Sequence, residues 1–378
     1  MLQYCKKCVL PNTRPNIIFD NNQVCDGCGT SNKKSQEIDW QLREKRFVQL
    51  IDNVKNKNSF YDCLIPVSGG KDSTWQVLTA LDYGLNPLCV TWKTPARNSL
   101  GEKNLQNLIN FGVNHIDFSI NPKVEKKFTL KTFKKFGIPL IPMHMAMHAL
   151  TLQCAINFKI PLIIWGENSA FEYGGDDNTL KGLSLTHDWL KKYGVTNGTV
   201  SFDWIDSDLT EIDLKPYYWP SDKEQEDAGV QAIFLGHFFN WDPLNTFKIA
   251  SENGFLEGDK PKTGHYNFAD IDDEFLITIH HWMKWYKFGF TRLWDNLSLE
   301  IRNQRMSRNQ AIKIINDVGY ENPLKEISLF CDYLEINEND FYNISEQFRN
   351  KAIWRKDSGV WKIDNFLINE WNWKNENK

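Results

Sequence analysis

The sequence predicts an α/β protein: a parallel, Rossmann-like sheet with a cysteine-rich ribbon before it and a mainly helical region after it. Three observations carry that reading. Short apolar runs alternate with helix-like segments between residues 61 and 165, the pattern of strands joined by crossover helices. A glycine-rich stretch, Ser68-Gly-Gly-Lys-Asp-Ser73, follows the first apolar run directly. Two Cys-x-x-Cys pairs fall within the first 28 residues.

The elements follow in order. Residues 33–58 are polar with apolar positions at Trp40, Leu42, Phe47, Leu50, Ile51 and Val54, which predicts one linking helix. Residues 61–67 read as a buried strand, and the helix after them passes through residues 75–81 and ends near Gly84. Residues 88–92 and 115–119 read as strands, with helices over 102–111 and 123–136. After Pro142 a helix runs to about Phe158, residues 161–165 form another strand, and residues 231–237 are a candidate for one more. Residues 176–215 are polar with no clear period. From about residue 270 the chain reads as helical, and Ser307-Arg-Asn-Gln310 is a capping box opening a helix through Ile315. The expected organisation is a ribbon over residues 1–32, a linking helix over 33–58, the α/β domain over 59–250 and the helical region over 251–378.

Composition bounds the function. At 378 residues the chain is long enough for more than one domain. A net charge of −4 argues against a dedicated nucleic-acid binder, which needs a basic surplus. No apolar run approaches the ~18 residues that span a bilayer, and the first residues lack the apolar core of a signal peptide. The expectation is a soluble cytoplasmic protein with no membrane contact. In that compartment Cys63, Cys89, Cys154 and Cys331 read as core thiols.

The other four cysteines differ. Cys5-Lys-Lys-Cys8 and Cys25-Asp-Gly-Cys28 are separated by sixteen residues. Two residues between thiolates let both turn onto one ion, and a second pair completes a tetrahedron. Zinc is the expected ion, with an iron–sulfur cluster as the rival. Four thiolate ligands leave no open position, so the site is structural. Asp26-Gly27 is expected to form the knuckle's tight turn.

The stretch from Ser68 to Thr74 goes from strand into helix. Gly69 and Gly70 let the backbone approach an anion closely. Helix N-terminal amides donate to it, Ser68, Ser73 and Thr74 add hydroxyls, and Lys71 adds a charge. Asp72 repels phosphate unless a magnesium ion bridges them. Gly166-Glu167-Asn168 ends the strand over residues 161–165. Ligands of parallel sheets bind at the strands' carboxyl ends, so the two segments should face one site.

Ser68–Ser73 resembles the pyrophosphate loop of the PP-loop ATP pyrophosphatases, a family with the adenine nucleotide alpha hydrolase-like fold. That resemblance implies that ATP is cleaved to AMP and pyrophosphate after a substrate oxygen attacks the α-phosphorus. Trp165-Gly-Glu-Asn168, Glu172-Tyr-Gly-Gly175, residues 234–242, and residues 280–292 with Asp295, Ser298, Glu300 and Arg302 resemble the N-acetyl sugar amidotransferases of bacterial surface-polysaccharide and flagellar-glycan pathways. The paired cysteines belong to the same pattern, and the resemblance covers most of residues 5–308. It implies adenylation of an acetamido oxygen on a sugar or nucleotide-sugar, then displacement of AMP by ammonia to give an acetamidino sugar. It also implies ammonia from a separate glutaminase through a barrel subunit, both like those of imidazole glycerol-phosphate synthase. A tRNA thiolase is the alternative reading.

On this reading Lys71, Asp72, Glu167 and Glu172 are the catalytic candidates, although Glu172 equally suits a helix cap. Ser68 to Thr74, Gly166 and Asn168 would hold ATP with Mg²⁺. Tyr173, His281, Lys284, Lys287, Arg292 and Arg302 are candidates for the sugar, its carboxylate or a diphosphate, against the alternative of a solvated basic face. His144 and His148, four apart, read as packed helix residues, and Trp371 and Trp373 as groups docking on the core or a partner.

Overall fold

The computed structural model describes residues 2–57, 59–175 and 184–373. Residues 176–183, part of the segment without a period, lie outside the described residues. Five strands form one parallel sheet: β1 (Cys63–Pro66), β2 (Pro87–Trp92), β3 (Asn114–Phe118), β4 (Leu162–Trp165) and β5 (Gln231–Phe234). Their order is β3-β2-β1-β4-β5. Leu64 of β1 pairs with Leu88 on one side and Ile163 on the other. The chain builds outward from β1 to β3, then returns to β4 on β1's other edge. That reversal opens a crevice beyond the carboxyl ends of β1 and β4.

Alternate residues of each strand face opposite layers. Cys63, Ile65, Cys89, Leu162 and Ile164 pack with Phe47, Val77, Leu105 and Leu108. Leu64, Leu88, Val90 and Ile163 pack with Leu152 and Ala155 from the helix Ile141–Asn157. Burial on both faces explains why these strands read as nearly continuous apolar runs. Among the described residues, no helix is long and apolar enough to cross a membrane.

The linking segment differs from expectation. It is two helices, Asp26–Glu37 and Trp40–Lys55. Asp39 lies between them and accepts the Leu42 amide at 3.0 Å, so a side-chain cap restarts the helix. The first of the two begins inside the second cysteine pair, and Asp26-Gly27 therefore opens a helix rather than forming a free turn.

The C-terminal region has helices Leu276–Phe288, Arg292–Arg302, Arg308–Val318, Leu324–Leu334 and Glu338–Gln347. Ser307 caps the third, with Gln310 returning the bond. An antiparallel hairpin not foreseen from the sequence follows, β6 (Trp354–Asp357) with β7 (Val360–Ile363). Cys5, Cys8, Val9 and Leu10 share one core with Trp282, Trp285, Trp294 and Leu297. The ribbon has little interior of its own and is completed by the C-terminal helices. Trp371 docks on that core, its ring 5.0 Å from Phe366 and 5.9 Å from Trp285. Between the helices Pro243–Glu252 and Leu276–Phe288 lies a strap without regular structure. It is tied to the sheet domain where the Glu274 amide donates to the Ala96 carbonyl at 2.6 Å.

Candidate active site at the strand ends

A cleft of about 420 Å³ opens at the carboxyl edge of the sheet. Ser68, Asp72 and Ser73 line it after β1, Trp92 at the end of β2 with Thr94 beyond it, and Gly166 and Glu167 after β4. Segments about a hundred residues apart in the chain thus meet at the crevice.

The loop is built as sequence and sterics require. Gly69 has φ +84°, and a Cβ there would lie 2.5 Å from the Leu105 amide nitrogen, so only glycine fits. Gly70 caps the helix Lys71–Asp82, and its amide donates to Ser68 Oγ at 3.2 Å. The first amides of that helix have no partner within it and form an anion-binding end. Two of the expected phosphate donors are engaged within the loop instead. The Ser73 and Thr74 hydroxyls donate to the Gly70 carbonyl at 2.9 and 3.1 Å. Thr74 is fully buried and braces the loop from behind, whereas Ser73 also lines the cleft.

Lys71 pairs with Asp72 Oδ2 and lies over the rings of Trp241 and Phe268, 5.5 and 5.8 Å from their centres. Asp72 Oδ1 accepts from Trp241 Nε1 at 2.9 Å and Thr246 Oγ1 at 3.0 Å. Burial opposes ionisation of Asp72, but Lys71 and these donors overcome it and hold the carboxyl below its usual range. Glu167 behaves in the opposite way. Burial and then the Asp72 charge push its carboxyl up to about 7, against the pull of Lys71 and Arg292. Two carboxyls in one cleft are thus driven apart in acidity, the arrangement that separates a fixed charge from a proton carrier.

The strap adds carboxylates that the sequence reading missed. Asp272 lines the cleft with Ser68, and burial pushes its carboxyl up. Asp273 is buried, accepts from Thr94 Oγ1 at 2.9 Å and from the Ile277 amide at 2.9 Å, and is pushed up to about 6, chiefly by burial. The available signal was Asp270-Ile-Asp-Asp273 just before an apolar helix, a capping pattern. Opposite the loop, the cleft is aromatic and sulfur-rich, with Trp92, Trp165, Trp189, Met143 and Met147. His144 and His148 line it too. His148 packs its ring 4.7 Å from that of Trp165, and burial holds both imidazoles in the neutral form.

Other expected site residues lie elsewhere. Asn168 caps the short helix Ser169–Tyr173, accepting from the Ala170 amide at 3.1 Å and Trp189 Nε1 at 3.3 Å. Asn168→Ala is expected to lower stability by about 1 kcal/mol in a denaturant titration, and Asn168→Ser to recover most of it. Glu172, expected among the catalytic groups, does not line the cleft. It is buried and bonded to Lys34 Nζ at 2.7 Å, because the helix Ser169–Tyr173 turns it toward the first helix. Tyr173 is buried with Arg14 and Arg292 against its ring, 5.5 and 5.6 Å from its centre. Lys284 and Arg14 reach the buried Asp295, each at 2.9 Å, with Arg292 3.9 Å away. His281 lies 3.5 Å from Asp270, and Lys287 donates to the Phe136 carbonyl at 2.9 Å. Lys284, Arg14 and Arg292 thus share one buried carboxylate rather than forming a solvated basic face, and burial keeps His281 neutral. Arg302, expected to bind an anionic substrate, instead lies 3.6 Å from Cys25 Sγ.

The four cysteines are buried, with sulfurs all within 4.8 Å of one another. Tetrahedral Zn–S bonds of about 2.3 Å place sulfurs roughly 3.8 Å apart, and the Cys5–Cys28 and Cys8–Cys25 separations are 3.9 and 3.6 Å. The spacing fits a single tetrahedral ion. The amides of Lys7, Cys8 and Cys25 point at Cys5 Sγ from 3.3–3.4 Å, as the outer donors around a metal-bound thiolate do.

Comparison with known proteins bears on the region that closes the cleft. The family described as "LPS biosynthesis protein WbpG-like, C-terminal domain" matches residues 263–367. That segment is similar to the WbpG-like C-terminal domain. The matched segment carries Asp272 and Asp273 at the cleft and Arg302 beside the cysteine centre. None of the curated proteins matches the chain. Among solved structures, a "predicted subunit of tRNA methyltransferase" from Methanocaldococcus jannaschii is similar at 15% identity, covering 64% of this chain and 91% of its own, with a TM-score of 0.31. An NMN synthetase from Francisella tularensis is similar at 15% identity, covering 51% of this chain and 83% of its own, with a TM-score of 0.27.

Proposed function

We propose that the chain is an AMP-forming, ATP-dependent amidotransferase that converts the acetamido group of an N-acetyl sugar to an acetamidine in LPS or related glycan biosynthesis. The observation that carries the reading is the meeting of the Ser68–Ser73 loop with Glu167, a carboxyl poised at about 7, in one cleft closed by a WbpG-like domain. An amide oxygen is a poor leaving group, so ammonia displaces it only after activation. The acetamido oxygen attacks the α-phosphorus, the bond to the β-phosphate oxygen breaks, and pyrophosphate leaves toward the loop amides and Lys71, which stabilise its growing charge. Ammonia then adds to the imidate carbon, AMP leaves with the oxygen, and the Glu167 carboxylate takes the proton released from nitrogen. Asp72 and Asp272 offer the hard oxygen ligands that suit Mg²⁺, which when bound offsets phosphate charge. The aromatic side of the cleft fits a base or sugar face and keeps water from the activated imidate. Zinc at the four cysteines would have no open position for chemistry.

The decisive assay supplies the purified chain with MgATP, ammonium and a panel of free and nucleotide-linked acetamido sugars. Sugar-dependent pyrophosphate and AMP with a newly cationic sugar is the expected result. Pyrophosphate release that depends on tRNA instead would sink the proposal. The chain should use ammonium but not glutamine, because a separate glutaminase and barrel subunit are expected to deliver ammonia. Turnover of glutamine by the chain alone would remove the need for them.

A further inference from the structure

Glu172 and Arg302, both displaced from the roles expected of them, are consecutive links in a chain of contacts. Arg302 Nη2 lies 3.6 Å from Cys25 Sγ and 4.0 Å from Cys8 Sγ, while Nη1 donates to the Glu172 carbonyl at 2.8 Å. Glu172 Oε1 accepts from Lys34 Nζ at 2.7 Å, and the same ammonium donates to the Trp241 carbonyl at 2.9 Å. Trp241 Nε1 donates to Asp72 Oδ1 at 2.9 Å, and Asp72 Oδ2 pairs with Lys71. A continuous path thus runs from the metal-type centre to the phosphate loop, through four separate parts of the chain.

Close packing keeps this path in register. A Cβ at Gly27, inside the second cysteine pair, would lie 2.5 Å from Arg302 Nη2, so a glycine there makes room for the guanidinium. Gly174, at φ +121°, would place a Cβ 2.7 Å from Asp26 Oδ1. The Glu172-Tyr-Gly-Gly175 segment is therefore fitted against the cysteine ribbon, which explains its glycine without any contact to substrate. Four thiolates around a divalent ion carry a net negative charge, and Arg302 is the cation beside them. Loss of the ion would change what that guanidinium is held by, and its other bond is to Glu172. Glu172 and Trp241 are buried, where an unmade hydrogen bond is most costly.

We infer that Arg302, Glu172 and Lys34 are positioning residues that couple the four-cysteine centre to the phosphate loop, so that metal occupancy and ATP binding strengthen each other. This rests on the reading of the loop as an ATP site. The coupling acts through Trp241 on Asp72, the side chain that holds Lys71 at the loop. It is reciprocal: whatever factor the metal adds to ATP affinity, ATP adds to metal affinity.

The test uses the full chain loaded with Co²⁺, whose absorption reports the thiolate site, titrated against a competing chelator with and without saturating MgATP. ATP binding is followed separately by equilibrium dialysis. MgATP is expected to tighten Co²⁺ binding on the order of tenfold. In Lys34→Met that factor should fall to near one while Co²⁺ binding without ATP is kept, and Lys34→Arg should restore part of it. Two results overturn the inference alone: ATP binding normally with Co²⁺ affinity unmoved, or coupling undiminished in Lys34→Met. If the chain binds no ATP, the reading of the loop fails and the coupling fails with it.

Discussion

Glu167→Gln is expected to lower kcat by about 10²- to 10⁴-fold, the range for losing a positioned proton acceptor. Burial and the neighbouring Asp72 push this carboxyl up to about 7, so its active carboxylate form fills in as pH rises through neutrality. The wild-type rate, expressed per concentration of free ammonia, should climb from pH 5.5 and level off above pH 8. Dividing by free ammonia removes the separate gain from deprotonating ammonium. Glutamine keeps the size and polarity of the side chain but takes no proton, so the variant's corrected profile should be flat. An unchanged acidic limb in Glu167→Gln would falsify the assignment and move the proton acceptor elsewhere. Pyrophosphate release in the first step should suffer less than amidine formation, because proton removal belongs to the ammonia step.

The second large effect is on stability. Glu125 is buried, and its carboxylate accepts from Trp92 Nε1 at 2.8 Å. Burial pushes the carboxyl up to about 8, with Trp92 pulling back. Its unfolded value is about 4.3, so between these limits the native state holds a proton that the unfolded chain has lost. The sign follows: stability falls as pH rises from the unfolded value to the folded one. The accumulated cost is on the order of 5 kcal/mol above pH 8. Glu125→Gln keeps an acceptor for Trp92 and has no charge to bury. It should be clearly more stable than wild type in denaturant at pH 8.5, less so at pH 6.5, and no more stable at pH 4. An equal difference at all three values would show that packing, not ionisation, sets the effect. Because Trp92 lines the cleft, the variant should also keep its aromatic wall.

These two acids show what a sequence conceals. Glu167 was legible because it follows an apolar strand in a parallel sheet, and strand ends of that kind face ligands. Glu125 sits in a lysine-rich helix, Pro122–Phe136, where a carboxylate reads as one more surface charge. Its burial depends on Trp92, which comes from a strand outside that helix. The strap between residues 252 and 276 has no period to read, yet it carries Asp272 and Asp273 to the loop. The break at Asp39 had a local signal in its capping side chain, but every apolar position read for the helix lies after it, so the polar stretch before it was joined on without a boundary. The hairpin of β6 and β7 is short and mostly exposed on one strand, so its alternation was weak.

By itself the sequence determined the elements whose causes are local. The two cysteine pairs follow from ligand spacing, strands β1, β2 and β4 from burial on both faces, and the Gly69-Gly70 turn from the close backbone approach an anion loop needs. The meeting of the loop with Gly166-Glu167 also followed, because parallel strands put all their carboxyl ends on one edge. Only the tertiary structure decided which polar groups face the cleft and which face each other. Glu172 turned to Lys34 and Arg302 to the cysteines, although both stand in motifs that suggested substrate contact. The reason is physical: a short helix or a helix end presents several faces, and its polar residues turn toward whatever charge packs against it. That partner comes from a distant part of the chain, and spacing along the sequence carries no record of it.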